Sequence, residues 1–196
     1  RHKVINTEEM RSPNYRSNPV DRCYYCKSEL YAKLKAIADE NHLAHIVNGI
    51  NLDDMGDHRP GITAAVESNV YSPLRDAGLS KNDVRALSKE MGLSTWEKPA
   101  MACLSSRVPY NQPITPEKLK MIELAEDFLI AEGFKQVRVR HHDEIARIEL
   151  PKEDLPRFYT GDLSERAQKR FKEIGFKYIA TDIGGYRSGS LNEAIV

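Results

Sequence analysis

The chain is short of several features that would place it in a class at once. No apolar run approaches the ~20 residues of a membrane span, and no signal-peptide pattern opens the sequence. Neither sign of charge is in excess: lysine plus arginine total 29, and aspartate plus glutamate total 29. That balance gives no support to a general electrostatic surface for nucleic acid or membrane, while local patches remain open. Tryptophan occurs once and cysteine three times. Three thiols cannot all pair within one chain, which argues against a disulfide framework. A reducing, cytoplasmic setting with metal-binding or reactive thiols is the expectation. There is no internal repeat and no low-complexity segment.

What is present suits a globular protein. The 196 residues are 40% hydrophobic and 30% charged, enough for one large domain or two small ones. The first residue is Arg1 rather than Met, and the chain reads as a fragment of a longer protein.

The stretch Lys98-Pro-Ala-Met-Ala-Cys-Leu-Ser-Ser-Arg107 stands out. It follows a helical pattern ended by Gly92 and precedes Val108-Pro109-Tyr110, so it is expected to be a loop. Cys103 sits there among two hydroxyls, Ser105 and Ser106, and two cations, Lys98 and Arg107. These groups bind phosphate or lower a thiol pKa. A buried loop cysteine beside two turn serines would look much the same.

The first half reads as helices and short strands. Asp21 is expected to cap a helix to about Glu40, with Leu30, Leu34 and Ile37 as its buried stripe. Cys23 and Cys26 fall in its first turn and share a face, where backbone donors favour thiolates. Ala44–Asn48 and Tyr71–Leu74 read as short strands. Between them runs Gly49–Gly61, rich in Asp and Gly and holding Asn51, Asp54, His58 and Arg59. Ligands of open α/β sheets bind beyond the carboxyl ends of strands, which favours a site over a solvated loop. Ser80 and Asp83 look like a capping pair for a helix reaching Met91.

The pattern changes near Tyr110. Thr115-Pro116-Glu117 should start a helix that stops at Gly133. Gln136–His141 and Ile145–Leu150 alternate as strands, joined by His142–Glu144 without the usual Gly. Ser164 is expected to cap a helix to Ile174, and Tyr178–Thr181 is a strand leading into Asp182–Gly189. The result is a small α+β unit, with the domain boundary near residue 110. Arg138 and Arg140 share a strand face, and Arg187 lies in the glycine-rich loop, a set suited to phosphate. A hydrated arginine face paired with Glu149 is the plainer reading.

For the thiols, three readings stay open on composition. Cys23, Cys26 and Cys103 with one open position suit a cubane iron–sulfur cluster. Zinc would take a fourth ligand from His42, His45, His58, His141 or His142. Unrelated core cysteines are the third.

These motifs together resemble the LarE family of sulfur transferases, which serve nickel-pincer nucleotide cofactor biosynthesis. The resemblance rests on Asp21-Arg-Cys-Tyr-Tyr-Cys-Lys27, Asn48–Asp54 with Asp57–Gly61, and Ser80-Lys-Asn-Asp-Val-Arg85. It continues through Cys103–Arg107, Val137-Arg-Val-Arg140, Ile145-Ala-Arg-Ile-Glu-Leu-Pro151 and Gly184-Gly-Tyr-Arg-Ser-Gly189. It implies an α/β fold: the remainder of a PP-loop parallel-sheet domain, adenine nucleotide alpha hydrolase-like, over 1–110. A small α+β substrate-binding and oligomerisation domain would follow over 111–196.

The implied activity is ATP-dependent. With Mg2+, ATP adenylylates a carboxylate of a pyridinium dicarboxylate mononucleotide, and sulfur then displaces AMP to leave a thiocarboxylate. By the same resemblance Cys103, Ser106, Arg107, Glu126 and Glu149 are candidate catalytic-site residues. Arg138, Arg140 and Arg187 would hold the substrate phosphate, and Gly49, Asn51, Asp54 and Arg59 the nucleotide. A homo-oligomer is implied, with no membrane and no nucleic-acid partner.

Two departures shape these expectations. The family's Ser-Gly-Gly-x-Asp-Ser phosphate loop is absent from the chain, so the chain alone is expected to bind ATP poorly and not to turn over. One branch of the family sacrifices a cysteine; Ala102 matches that position, or Cys103 itself with a one-residue shift in the loop. Cys23, Cys26 and Cys103 match instead the branch that holds a [4Fe-4S] cluster by three cysteines. The alternatives are a tRNA-thiolating PP-loop enzyme, against which the missing basic stripe argues, and a non-catalytic zinc-stapled module.

Overall fold

The computed structural model of the chain describes residues 2–56, 59–99, 101–187 and 189–191. It divides into two compact units, Arg1–Lys98 and Pro99–Val196. The division falls ahead of the change of pattern near residue 110. Val108 and Ile114 are both fully buried, and the 3-10 turn Leu104–Arg107 packs on the long helix and first strand of the second unit.

In the first unit, Ser12 caps the short helix α1 (Pro13–Arg16) by accepting from the Tyr15 amide. Helix α2 spans Arg22–Glu40. Asp21 occupies its N-cap position, but its side chain makes no capping hydrogen bond. The expected stripe of Leu30, Leu34 and Ile37 is only half-buried; the deeply buried positions are Tyr31 and Ala38. Helix α2 packs on α3 (Pro60–Glu67), whose Ala64 and Ala65 allow a close approach around Tyr31 and Val70. Helix α3 was absent from the sequence reading; its signal is Arg59-Pro60, with proline in the first helical turn.

The two strands expected here shrink to one parallel bridge, Val47 with Tyr71. The Tyr71 amide donates to the Ile46 carbonyl and the Asn48 amide to the Tyr71 carbonyl, both at 2.9 Å. Pro73 then opens helix α4 (Pro73–Asp76), which cuts short the strand expected over Tyr71–Leu74 because proline cannot donate to a ladder. Of the expected parallel sheet, the described residues of the unit show this bridge alone. Ser80 and Asp83 form the capping box that starts α5 (Lys81–Glu90), and Gly92 follows with φ +72°. No helix among the described residues is long and apolar enough to cross a membrane.

The second unit contains helix α6 (Pro116–Ala131), strands β1 (Arg138–His142) and β2 (Ile145–Glu149), helices α7 (Leu155–Phe158) and α8 (Leu163–Ile174), and strand β3 (Tyr178–Thr181). Thr115 caps α6 through the Lys118 amide, and Gly133 ends it in the left-handed region. The sheet order is β1-β2-β3. Strands β1 and β2 are antiparallel, with Arg140 opposite Arg147; β2 and β3 are parallel. His142 belongs to β1 rather than to the hairpin loop. Asp143 takes the positive φ, +53°, that a glycine usually supplies. Helix α8 begins at Leu163 with Asp162 at its N-cap, just ahead of the expected Ser164.

The alternating faces set the core. Val137, Val139, Ala146, Ile148 and Leu150 join Ala125, Leu129, Phe134 and Phe171 on one side of the sheet. The mixed α/β character therefore comes from this small three-stranded sheet and the helices around it. Gly185 shows how closely the chain folds back on β2. A Cβ there would lie 2.9 Å from the Leu150 carbonyl oxygen, and φ is +69°. Only glycine fits both demands.

Candidate active site

The Cys103 turn is held from within. The Cys103 carbonyl accepts from the Ser106 amide at 3.0 Å, the Ser106 hydroxyl at 2.7 Å and Arg107 Nη1 at 2.9 Å. Arg107 Nη1 also donates to the Ala102 carbonyl at 2.8 Å. The thiol of Cys103 is left exposed. Ala100, in the same stretch, lies outside the described residues.

Behind the turn, Glu126 on α6 receives Arg107 in a two-point fork, Nε to Oε1 and Nη2 to Oε2, both at 2.9 Å. Oε1 also accepts the Val139 amide of β1 at 2.9 Å. Arg107 and Glu126 are both buried. A buried carboxylate is tolerated because the guanidinium and an amide replace its water.

A second buried pair lies alongside. Arg140 donates to both oxygens of Glu149, and through Nη1 to the Ser106 carbonyl at 2.9 Å. Its Nη2 also reaches the Ser190 hydroxyl. Glu149 is 0% exposed and is shared with Arg147, whose Nη2 lies 3.0 Å from Oε1. The hydrated arginine face that the sequence suggested is therefore, at Arg140, a sealed pair. Glu126 and Glu149 engage the arginines that hold the turn.

Arg138 and Arg187 sit more openly. Arg138 is half-buried over the Tyr186 ring, at 5.5 Å. Burial, then the nearby Arg107 charge, push it below the ordinary arginine value. Arg187 donates to the Gly185 carbonyl at 3.1 Å and lies 3.6 Å from Asp182. It lines a cleft of about 380 Å³ with Gln136, Lys152, Glu153, Gly184 and Tyr186. Lysine and arginine in one opening suit an anionic group. Ser188, in the same motif, lies outside the described residues.

In the first unit, Cys23 is exposed and Cys26 half-buried, on the first turn of α2. Gly61 on α3 sits against this turn: a Cβ there would be 3.9 Å from Cys23 Cβ. None of the three cysteines is in a disulfide. Their donor chemistry fits an iron–sulfur cluster, and Cys23 with Cys26 fits two of its ligand positions. Among the described residues no group of three or more His, Cys, Asp or Glu side chains is gathered to hold a metal.

The Asp-rich loop is bound largely to itself. Asn51 is buried, its amide donates to Asp54 and its side-chain oxygen accepts from Asp53, both at 3.0 Å. Asp54 pairs with Arg59 at 2.8 Å. Asp53 accepts the Lys81 amide at 2.8 Å, at the start of α5. A Cβ on Gly49 would meet open space. Asp57 and the candidate ligand His58 lie outside the described residues.

Sequence reasoning missed Ser190, Arg147 and Asp182, which complete the network on the arginine face. The alternation of β2 already placed Arg147 beside Glu149. Ser190 carried no signal, since nothing local distinguishes it from a solvent-facing serine.

No family model matches the chain. An uncharacterized protein of Synechocystis sp. is 44% identical over 194 residues, covering 99% of this chain and 72% of the relative. The pyridinium-3,5-bisthiocarboxylic acid mononucleotide synthase of Lactiplantibacillus plantarum is 38% identical over 180 residues, 92% of this chain. The chain spans 64% of that synthase's length. An uncharacterized protein of Methanocaldococcus jannaschii is 32% identical over 184 residues, covering 94% of this chain and 71% of the relative.

Proposed function

The chain belongs to the LarE family of sulfur transferases, and from that premise we propose that it acts in making the thiocarboxylate of a pyridinium dicarboxylate mononucleotide. A carboxylate oxygen of the substrate attacks the α-phosphorus of Mg2+-bound ATP, and pyrophosphate leaves. A sulfur nucleophile then adds to the acyl carbon, AMP leaves, and the C–S bond remains. Adenylylation is needed because a carboxylate oxygen is a poor leaving group.

The observation that carries this reading is the exposed Cys103 thiol on a turn whose carbonyl accepts three hydrogen bonds. A thiol that ligates the iron of a sulfur-carrying cluster must be accessible while its backbone stays fixed. Arg138 and Arg187 are the residues proposed to face the substrate phosphate. Lys152 shares the Arg187 cleft and would add a third positive charge. The loop Gly49–Arg59 is proposed to face the nucleotide, with Asn51 and Asp54 fixing its shape and Arg59 offering a cation.

Three cysteines outside any disulfide support a [4Fe-4S] cluster on Cys23, Cys26 and Cys103, which when bound would supply an iron able to carry sulfide. Cys23 and Cys26 contribute two thiols at helical spacing, and Cys103 the third. A homo-oligomer is proposed, as the family resemblance implies.

The test supplies ATP, Mg2+, sulfide and the mononucleotide, anaerobically and after reconstitution with iron, to the chain joined to a Ser-Gly-Gly-x-Asp-Ser phosphate loop, without which it is expected not to turn over. The expected product is the mononucleotide with one oxygen replaced by sulfur, together with AMP and pyrophosphate. AMP release without sulfur incorporation would refute the sulfur-transfer step. Stoichiometric zinc in place of iron and sulfide would refute the cluster.

A further inference from the structure

Arg140 stands between two segments far apart in the sequence. One Nη donates to the Ser106 carbonyl and the other to the Ser190 hydroxyl, while Nε and Nη2 lock onto Glu149. A guanidinium is planar and its five N–H directions are fixed. Four of those directions are used here. Turning the plane to satisfy one partner therefore moves the others.

Ser190 closes the arrangement. It is buried, and its hydroxyl is within reach of both Glu149 oxygens, at 3.4 and 3.5 Å. The one hydroxyl can thus accept from Arg140 and donate to Glu149. Its amide donates to the Arg187 carbonyl at 3.4 Å, so Ser190 is tied to the residue that lines the cationic cleft. Glu149 cannot turn away, because it has no exposure and also receives Arg147.

We infer that Arg140 is a rigid link rather than a substrate ligand, and that Ser190 is a positioning residue that sets the Cys103–Arg107 turn through it. The glycine-rich loop and the cysteine turn then share one guanidinium. An anion drawing on Arg187 acts on a loop in which Ser190 holds the plane that grips Ser106. The importance of this link for chemistry rests on the proposed role of Cys103; the link itself does not.

Hydrogen exchange on the full chain tests it, comparing Ser190→Ala, Ser190→Thr and the unaltered protein. In Ser190→Ala, amides of the turn at Ser106 and Val108 should exchange roughly ten-fold faster, the size expected when a hydrogen bond to a charged group is lost. Amides of α8 and β3 should keep their rates, and Ser190→Thr, which retains a hydroxyl, should restore the turn. Unchanged turn amides in Ser190→Ala would overturn the inference. So would an equal acceleration across the whole unit, which would mark general loosening. If the turn loosens as expected while Cys103→Ser keeps full sulfur transfer, the link stands and the role of Cys103 falls.

Discussion

Arg107 and Glu126 meet in a two-point fork, buried on both sides, with the same carboxylate holding the Val139 amide. One acid thereby joins the cysteine turn to β1. Removing it leaves a buried cation with no counter-charge, which costs about 3–5 kcal/mol. Glu126→Ala should lower the stability of the second unit by that amount in urea unfolding. A loss under 1 kcal/mol would show that the fork is not held in solution.

The arginines should separate by function. Arg187→Gln is expected to weaken binding of inorganic phosphate or a pyridinium mononucleotide about ten-fold in calorimetric titration, without moving the melting temperature. Arg140→Gln should do the reverse first, lowering the melting temperature because buried Glu149 loses its two-point partner and keeps only the half-open Arg147. Equal loss of affinity in both variants, with neither melting early, would return Arg140 to the substrate.

Cys103→Ser removes an exposed sulfur and should change stability by less than about 0.5 kcal/mol. After anaerobic reconstitution the same variant should retain little iron and sulfide, and Cys23→Ser should behave alike. Full loading in Cys103→Ser would reduce the cluster proposal to the α2 pair alone.

Two histidines predict an acid weakness. Burial is the main cause holding both His141 and His142 below the ordinary imidazole value. Lys118 opposes charge on His141, and Arg147 and Arg140 oppose it on His142; Asp143 favours charge on both. The unfolded chain takes up protons near pH 6.5, and the folded chain only at lower pH. Stability is therefore full above roughly pH 6.5 and declines as pH falls toward the lowered folded values. The melting temperature should drop between pH 6.5 and 5, and His141→Phe should flatten that slope. A slope that is identical in the variant would move the effect to other groups.

Gly185→Ala should be poorly tolerated, because both the backbone angle and the 2.9 Å approach to Leu150 oppose a side chain. A cost of about 1–3 kcal/mol in denaturant unfolding is expected. Gly49→Ala, with open space around it, should cost far less.

Local chemistry made much of the second unit legible. Thr115 and Gly133 bracket α6, and alternation fixes β1 and β2, because caps and period-two patterns are encoded within a few residues. The first unit resisted the same reading. Val47 and Tyr71 carry strand-like residues, yet form one bridge and stay 60% and 52% exposed. Strand formation depends on partners distant in sequence, which composition does not reveal. The resemblance named Cys103, Arg107, Glu126, Arg140 and Glu149 together, and these residues lie around one turn. Their pairing was not legible, since the pattern of one strand cannot say whether an arginine faces water or a carboxylate from across the hairpin. Ser190 needed the fold itself.

The sealing of Glu149 also constrains how such a protein drifts through its lineage. Replacement of Glu149 leaves Arg140 buried without a counter-charge, and replacement of Arg140 leaves the sealed carboxylate to Arg147 alone. Every one-step neighbour of this sequence at the pair is therefore less fit to fold, and exchange for an apolar pair demands two changes together. Arg147, half-open to water at the same carboxylate, faces no such barrier and is free to vary first.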